Sequence, residues 1–327
     1  MISLLTNDGK IRATDQFILD VVYEIQTTGQ AHINTMSEGP CCEHVGLYCL
    51  IDKICKKFNF DHGCIHIYTS NMLESHTKYH IHKDFNFWEL ERSIINSKQF
   101  PNFEKKFDSD FKHFANFIGH SNKYRLQTSS LLKSQYSDKT LQSYHCKVTE
   151  EYHREYIGLE DLMFIGVTES MLDTAYNHIK HAPIELDKIT TFPILQPTNI
   201  NLLKYYPKFF LEIVNLTFFS GTTFYIDEKV WRPTLALTPI MIQGPSNWIK
   251  NFRRIGFKTF HQWWDEGYSE DPDGCQVSCI FDNLEHLSKL SLGELQSMYQ
   301  DMLPTLRHNR DLLLDLTKQD IERVFDA

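Results

Sequence analysis

The sequence predicts an α/β protein, and three observations carry that expectation. Short apolar runs alternate with longer stretches of helical periodicity along most of the 327 residues. Apolar residues make up 42% and charged residues 23%, as in ordinary globular chains and unlike disordered or fibrous ones. The length suits roughly two domains of ~150 residues each. No apolar run approaches the ~18–20 residues that cross a bilayer, and the opening MISLLTNDGK lacks the basic and apolar regions of a signal peptide.

The elements follow in chain order. Residues 45–58 place Val45, Leu47, Tyr48, Leu50, Ile51, Ile54, Cys55 and Phe58 at helical spacing, with Lys53, Lys56 and Lys57 near the end where cations suit the helix dipole. A turn at Asp61-His62-Gly63 leads into an expected strand over 64–68, which makes a helix–turn–strand unit of a parallel sheet. A buried strand is expected over 114–119, then a cap at Ser121-Asn122 and a helix over 123–133. Further strands are expected over 141–146 and 209–218. In the last third, 228–237 reads as a helix start interrupted by Pro233, 239–243 as a strand, and Gly244-Pro245-Ser246-Asn247 as a turn into a helix. Ser291-Leu292-Gly293-Glu294 is a capping box, and a helical pattern resumes after Pro304.

Charge and cysteine usage narrow the function. The net charge of −9 argues against general affinity for nucleic acid. Local basic clusters at Lys53-Lys56-Lys57, Lys105-Lys106 and Lys250-Arg253-Arg254 could still track phosphates. Eight cysteines without a Cys-x-x-Cys pair read as reduced thiols, which points to the cytoplasm. Phenylalanine is abundant at 23, a bias that fits an AT-rich genome such as many phages have.

Three segments carry candidate chemistry. In Phe224–Pro233, Glu228 and Lys229 stand where a strand-like stretch turns into a helix; Glu can take both hydroxyls of a ribose, and Lys can neutralise a diphosphate. Standing alone, Asp227-Glu228-Lys229 reads as a solvated helix start. The turn holding Gly244 and Ser246 precedes a helix N-terminus, where free N–H groups suit an anion. In Phe117–Arg125, a strand meets a helix capped by Ser121 or Asn122, and Arg125 in the first turn suits bidentate phosphate contacts.

Other motifs are weaker. Asp108-Ser109-Asp110 has no apolar strand ahead of it, as a metal-holding pair of carboxylates would need. His62, His66, His76, His80 and His82 lack the paired spacing with cysteine of a zinc site, so no metal is expected. Trp263-Trp264 beside Asp265 and Glu266 could stack on a sugar or a base, or simply pack in the core.

Together these residues resemble the donor domain of the α-1,3-fucosyltransferases. The likeness lies in a strand ending near Ser121-Asn122 with Arg125 soon after, then an aromatic-Ile-Asp-Glu-Lys-x-Trp-Arg stretch and an apolar strand ending in Gly244-Pro245. A broader likeness, to phage-encoded proteins sharing that core, takes in Glu38-Gly39-Pro40-Cys41, Gly46-Leu47-Tyr48, Phe117–Arg125, Asp138–Gln142, Phe257–Phe260 and Trp264-Asp265-Glu266. The fucosyltransferase pattern has Thr where this chain has Asp227.

The resemblance implies a GT-B glycosyltransferase of two Rossmann-like domains facing across a cleft. The expected division is 1–112 for the acceptor side, 113–303 for the nucleotide-sugar side, and 304–327 for a terminal helix packing back on the first. Arg125 and Lys229 would contact the diphosphate and Glu228 the ribose of a GDP- or UDP-linked donor, with Ser121, Asn122, Gly244 and Ser246 nearby. The catalytic base would be Glu38, in the loop before a helix, or Glu74, just past a strand end. Trp264 and Asp265 are candidates for the acceptor, and the transfer would be metal-independent. The acceptor would be a glycan or small metabolite, or a hydroxymethylated DNA base if the origin is a phage. A protein that binds nucleotide or glycan without turnover is the reading from another class.

Overall fold

The fold is given by a computed structural model that describes residues 2–3, 6–7, 10–11, 15–35, 39–83, 103–119, 122–144, 169–182, 184–186, 200–219, 221–270 and 276–325. The chain divides into two compact units: 1–90 with 217–227 and 317–327, and 91–216 with 228–316. Both are built on parallel sheets, as the alternation of apolar runs and helical stretches predicts.

In the first unit, β1 (Ile2–Ser3) is followed by a small antiparallel hairpin, β2 (Thr6–Asn7) and β3 (Lys10–Ile11), and then α1 (Asp15–Thr28). β4 (Ala31–Thr35), α2 (Leu47–Phe58), β5 (Ile65–Thr69) and β6 (His80–Lys83) complete the described run. The strands pair in the order β1-β4-β5-β6, all parallel, so each new strand is added on the same side of the last. Alternation sorts the residues. Ala31, Ile33, Ile65 and Ile67 join one core with Phe17, Val21, Val22 and Ile25 of α1 and Leu47, Ile51, Ile54 and Cys55 of α2. Both helices therefore cover the aliphatic face. The opposite face carries His32, His66, Tyr68, His80 and His82. α2 and β5 lie within two residues of their expected spans, and Asn59 closes α2 in the left-handed region at φ 57°.

The second unit runs β7 (Lys112–Ile118), α3 (Lys123–Tyr136), β8 (Thr140–Tyr144), α4 (Glu169–Lys180), β9 (Phe209–Asn215), α5 (Glu228–Leu235), β10 (Ile240–Gln243), α6 (Trp248–Arg254), α7 (Gln276–Ser288) and α8 (Leu292–Asp315). Its strands pair β10-β9-β7-β8, all parallel. From β7 the chain winds to β8 on one side; it then restarts at β9 on the other side of β7 and continues to β10. The winding direction thus reverses between β7 and β9. Ligands of open α/β sheets bind outside the strand carboxyl ends at such a reversal. β9 is buried along its whole length, as a central parallel strand must be.

Two helices depart from expectation. α8 runs unbroken through Pro304, although a proline there removes a backbone hydrogen bond and costs ~3 kcal/mol. Tyr299 and Met302 before it and Leu306, Asn309 and Leu313 after it are all buried, and that packing keeps the helix whole. The capping box at Ser291 and Glu294 forms as expected. α3 is not amphipathic: every residue from Tyr124 to Leu132 is buried, Arg125, Gln127, Thr128, Ser129 and Ser130 among them. α9 (Lys318–Phe325) belongs to the first unit, where Phe325 packs on Phe224 with ring centroids 5.4 Å apart. Among the described residues, no helix is long and apolar enough to cross a membrane.

Candidate functional site

The carboxyl edge of the second sheet concentrates the charge. α3 begins just beyond β7, and the Asn122 Oδ1 caps it by accepting from Arg125 N at 2.9 Å. The Arg125 side chain is buried and donates to the Asn215 carbonyl, at the end of β9, over 3.3 Å. At the head of α5, Lys229 pairs with Glu228 at 2.9 Å, each side chain only 16–17% exposed. Burial pushes the Glu228 carboxyl up, but Lys229 and then Arg232 outweigh it and hold the group below the ordinary carboxylate range. Glu228 is thus ionised beside Lys229 at the start of α5.

Beneath these charges lies a polar lane that the sequence reading missed. Asn116 Nδ2 donates to Asn215 Oδ1 at 2.6 Å and to the Ile213 carbonyl at 2.8 Å. Asn215 Nδ2 donates in turn to Gln243 Oε1, which also accepts from Thr128 Oγ1 at 2.6 Å. One row of amides thus ties β7, β9 and β10 to α3. On the other side of α3, Ser129 Oγ meets His178 Nε2 at 2.9 Å and accepts from Gln142 Nε2 at 2.6 Å. Burial pulls His178 down to about 4, assisted by Lys133 and His181, so it is neutral. Polar residues inside apolar strands were the available signal, since Asn116 interrupts Phe114-Ala115-Asn116-Phe117.

The Gly244 turn closes on itself. Gly244 N–H donates to Gln276 Oε1 at 3.1 Å, Ser246 Oγ to the Glu270 carbonyl at 3.1 Å, and Asn247 N–H to the Ser269 carbonyl at 2.7 Å. Gly244 is needed for packing, because a Cβ there would sit 2.6 Å from Leu216 Cδ1. Local partners thus take up the Gly244 and Asn247 N–H groups and the Ser246 hydroxyl. Ser121 lies outside the described residues.

Glu74 is buried at the carboxyl edge of the first sheet and accepts from Cys42 N at 2.9 Å, Tyr48 Oη at 2.6 Å and Asn71 Nδ2 at 3.2 Å. Asn71 is the hub beside it. Its Oδ1 accepts from Leu73 N at 3.1 Å and Phe224 N at 2.9 Å, and its Nδ2 also donates to the Thr222 carbonyl at 2.9 Å. Thr223 Oγ1 donates to the Gly39 carbonyl. In this structure Glu74 holds loops together. Glu38 lies outside the described residues.

Trp264 is buried against Phe260, with ring centroids 5.1 Å apart, so its ring belongs to the core. Asp265 is exposed and its Oδ1 accepts from Gly267 N at 2.8 Å. The basic cluster at Lys105-Lys106 is also corrected. Lys105 is buried and donates to the Tyr206 and Phe209 carbonyls at 2.7 and 2.8 Å and to Thr238 Oγ1 at 2.7 Å. Burial pulls its pKa well below the ordinary lysine range, against the opposing charge of Glu212. Asp108 and Asp110 form a turn, with Asp110 N–H donating to Asp108 Oδ1 at 3.1 Å. Among the described residues, no three His, Cys, Asp or Glu side chains form a ready-made metal seat.

No protein-family model, curated protein or solved structure matches this chain.

Proposed function

We propose that the chain is a GT-B glycosyltransferase that moves a sugar from a nucleoside diphosphate-sugar to a hydroxyl acceptor. The observation that carries this reading is the reversal between β7 and β9, with Arg125 and the Glu228–Lys229 pair heading the helices that follow those two strands. The resemblance to fucosyltransferase donor domains includes the same three residues.

In this reading Glu228 accepts from the ribose hydroxyls, and Lys229 and Arg125 face the diphosphate. The acceptor oxygen attacks the anomeric carbon as the bond from that carbon to the diphosphate breaks. Fixed positive groups stabilise the charge that develops on the departing phosphate. Glu38 takes the acceptor's proton, because Glu74 already holds three hydrogen bonds.

The test is release of nucleoside diphosphate from labelled GDP- and UDP-sugars. Lys229→Ala is expected to lower turnover by ~100-fold or more with the fold intact. Normal turnover by that variant would contradict the assignment, and retention of nucleotide without sugar release would make the protein a binder.

A further inference from the structure

The helical layer of the first unit is where apolar side chains come out into solvent. Among the described residues, the large apolar side chains that stand exposed are Leu19 at 61%, Tyr23 at 70% and Phe58 at 37%. Leu19 and Tyr23 lie one turn apart on α1, and Phe58 closes α2. The two helices pack side by side on the aliphatic face of the sheet, and because each joins parallel strands they run in the same direction. Their charges are opposite. α1 holds Asp15, Asp20 and Glu24 and no Lys or Arg, whereas α2 presents Lys53, Lys56 and Lys57 to solvent. The acid of α2, Asp52, is already engaged by His62 at 2.9 Å, Tyr79 at 2.6 Å and Lys78 at 3.5 Å. The outward positions also match. Counted back from the last residue of each helix, Leu19 is level with Cys49, Tyr23 with Lys53, and Gln26 and Thr27 with Lys56 and Lys57, and every one of these is exposed.

We propose that this face is the interface of a weak homodimer, in which α1 of each protomer lies on α2 of the other about a two-fold axis parallel to the helices. That axis sets an acidic helix on a basic one twice over. A two-fold across the helices would instead stack α1 on α1 and α2 on α2, like charge on like. A foreign partner would need the same two stripes in complementary order, and a second copy has them by symmetry. In the pair, Lys53 lies over the ring of the partner's Tyr23, a cation–π contact flanked by the acids of that helix, and Leu19 packs on the partner's Cys49. Helices of 14 and 12 residues, each ~20 Å long and ~10 Å apart, give a footprint of about 400 Å² on each protomer. That is the size of a reversible contact and not of an obligate one. The pairing does not depend on the glycosyltransferase reading.

The experiment is sedimentation velocity of the full chain over ~1–300 µM. In ~50 mM NaCl the chain should pass from monomer to dimer with a dissociation constant of about 10–100 µM, and ~500 mM NaCl should weaken it at least ~3-fold by screening the helix charges. Tyr23→Lys sets a cation against the partner's Lys53, and Lys53→Glu sets an acid beside the partner's Asp20 and Glu24. Each should weaken the dimer at least ~10-fold. Both positions are exposed, so each variant should keep the wild-type melting temperature. If either unfolds, Leu19→Lys and Cys49→Glu replace the pair. An equal mixture of the two variants should dimerise again, because one α1–α2 contact is then native and the other sets the introduced Lys against the introduced Glu. A chain that stays monomeric at ~300 µM, a dimer that survives both substitutions, or a mixture no tighter than its parts would overturn the proposal.

Discussion

The two sheets end differently at their carboxyl edges, and the difference lies in what their polar groups are bound to. In the first unit the edge is filled by the chain itself. Residues 39–42, 71–74 and 221–224 are sewn together through Asn71 and Glu74; the backbone of Asn71 at Gly39, and the Cys41 and His44 side chains at Gly221, leave no space for a side chain. In the second unit the corresponding edge carries Arg125, Glu228 and Lys229, whose charges are held near the reversal in winding. One edge has spent its polar groups on local folding. The other gathers charged groups at the heads of the helices that follow β7 and β9.

The comparison can be broken most forcefully at Gly39. Its φ is 61°, and a Cβ would sit 2.5 Å from Asn71 N, a backbone atom that cannot turn aside. Gly39→Ala should destabilise by ~4 kcal/mol, summing a left-handed residue and an overpacked contact. Urea unfolding measures it, and a loss under 1 kcal/mol would mean the edge is looser than described. Glu74→Ala comes next. It strands the Cys42 N–H, the Tyr48 hydroxyl and one Asn71 hydrogen, and should cost roughly 3 kcal/mol in the same assay. Lys229→Ala also costs stability, since it removes a partner of the part-buried Glu228 carboxylate, but Arg232 remains beside that group and keeps the loss below that of Glu74→Ala; equal losses from the two variants would erase the contrast.

Acidification probes the polar lane of the second unit. His178 is held down at about 4 in the folded chain, whereas an unfolded histidine titrates near 6.5. Between those values the unfolded state takes a proton that the folded state refuses. Stability present above about pH 6.5 is therefore lost as pH falls toward 4, by about 3 kcal/mol at this site. His178→Gln should flatten that part of the pH–stability curve; an unchanged slope would place the acid sensitivity elsewhere. The smallest effect is at the α8 cap: Ser291→Ala should cost ~1 kcal/mol.

Much of the fold was legible because it rests on local rules. The period of α2, the turn at Asp61, the Asn122 cap and the Ser291 capping box each need only a few neighbouring residues, and each appears within two residues of its expected position. The reversal between β7 and β9 depends on pairings 97 residues apart, such as Lys112 with Phe209. Arg125, Glu228 and Lys229 stood out because charge at a strand-to-helix turn is a local signal. Lys105 misled for the opposite reason. A lysine beside another lysine looks like surface until the distant carbonyls of Tyr206 and Phe209 close around it. Asn71 and Glu74 look like ordinary loop residues for the same reason, since their partners come from 39–48 and 222–224.

The most direct test of the charged edge is thermal unfolding of the full chain with free GDP, UDP and their sugar conjugates at millimolar concentration. Saturation at about 100 times the dissociation constant adds ~2.7 kcal/mol of stability, a plain rise in melting temperature. The charged edge predicts that one nucleoside diphosphate produces this rise and that Lys229→Ala abolishes it. No rise with any of them, or a rise that persists in Lys229→Ala, would contradict it.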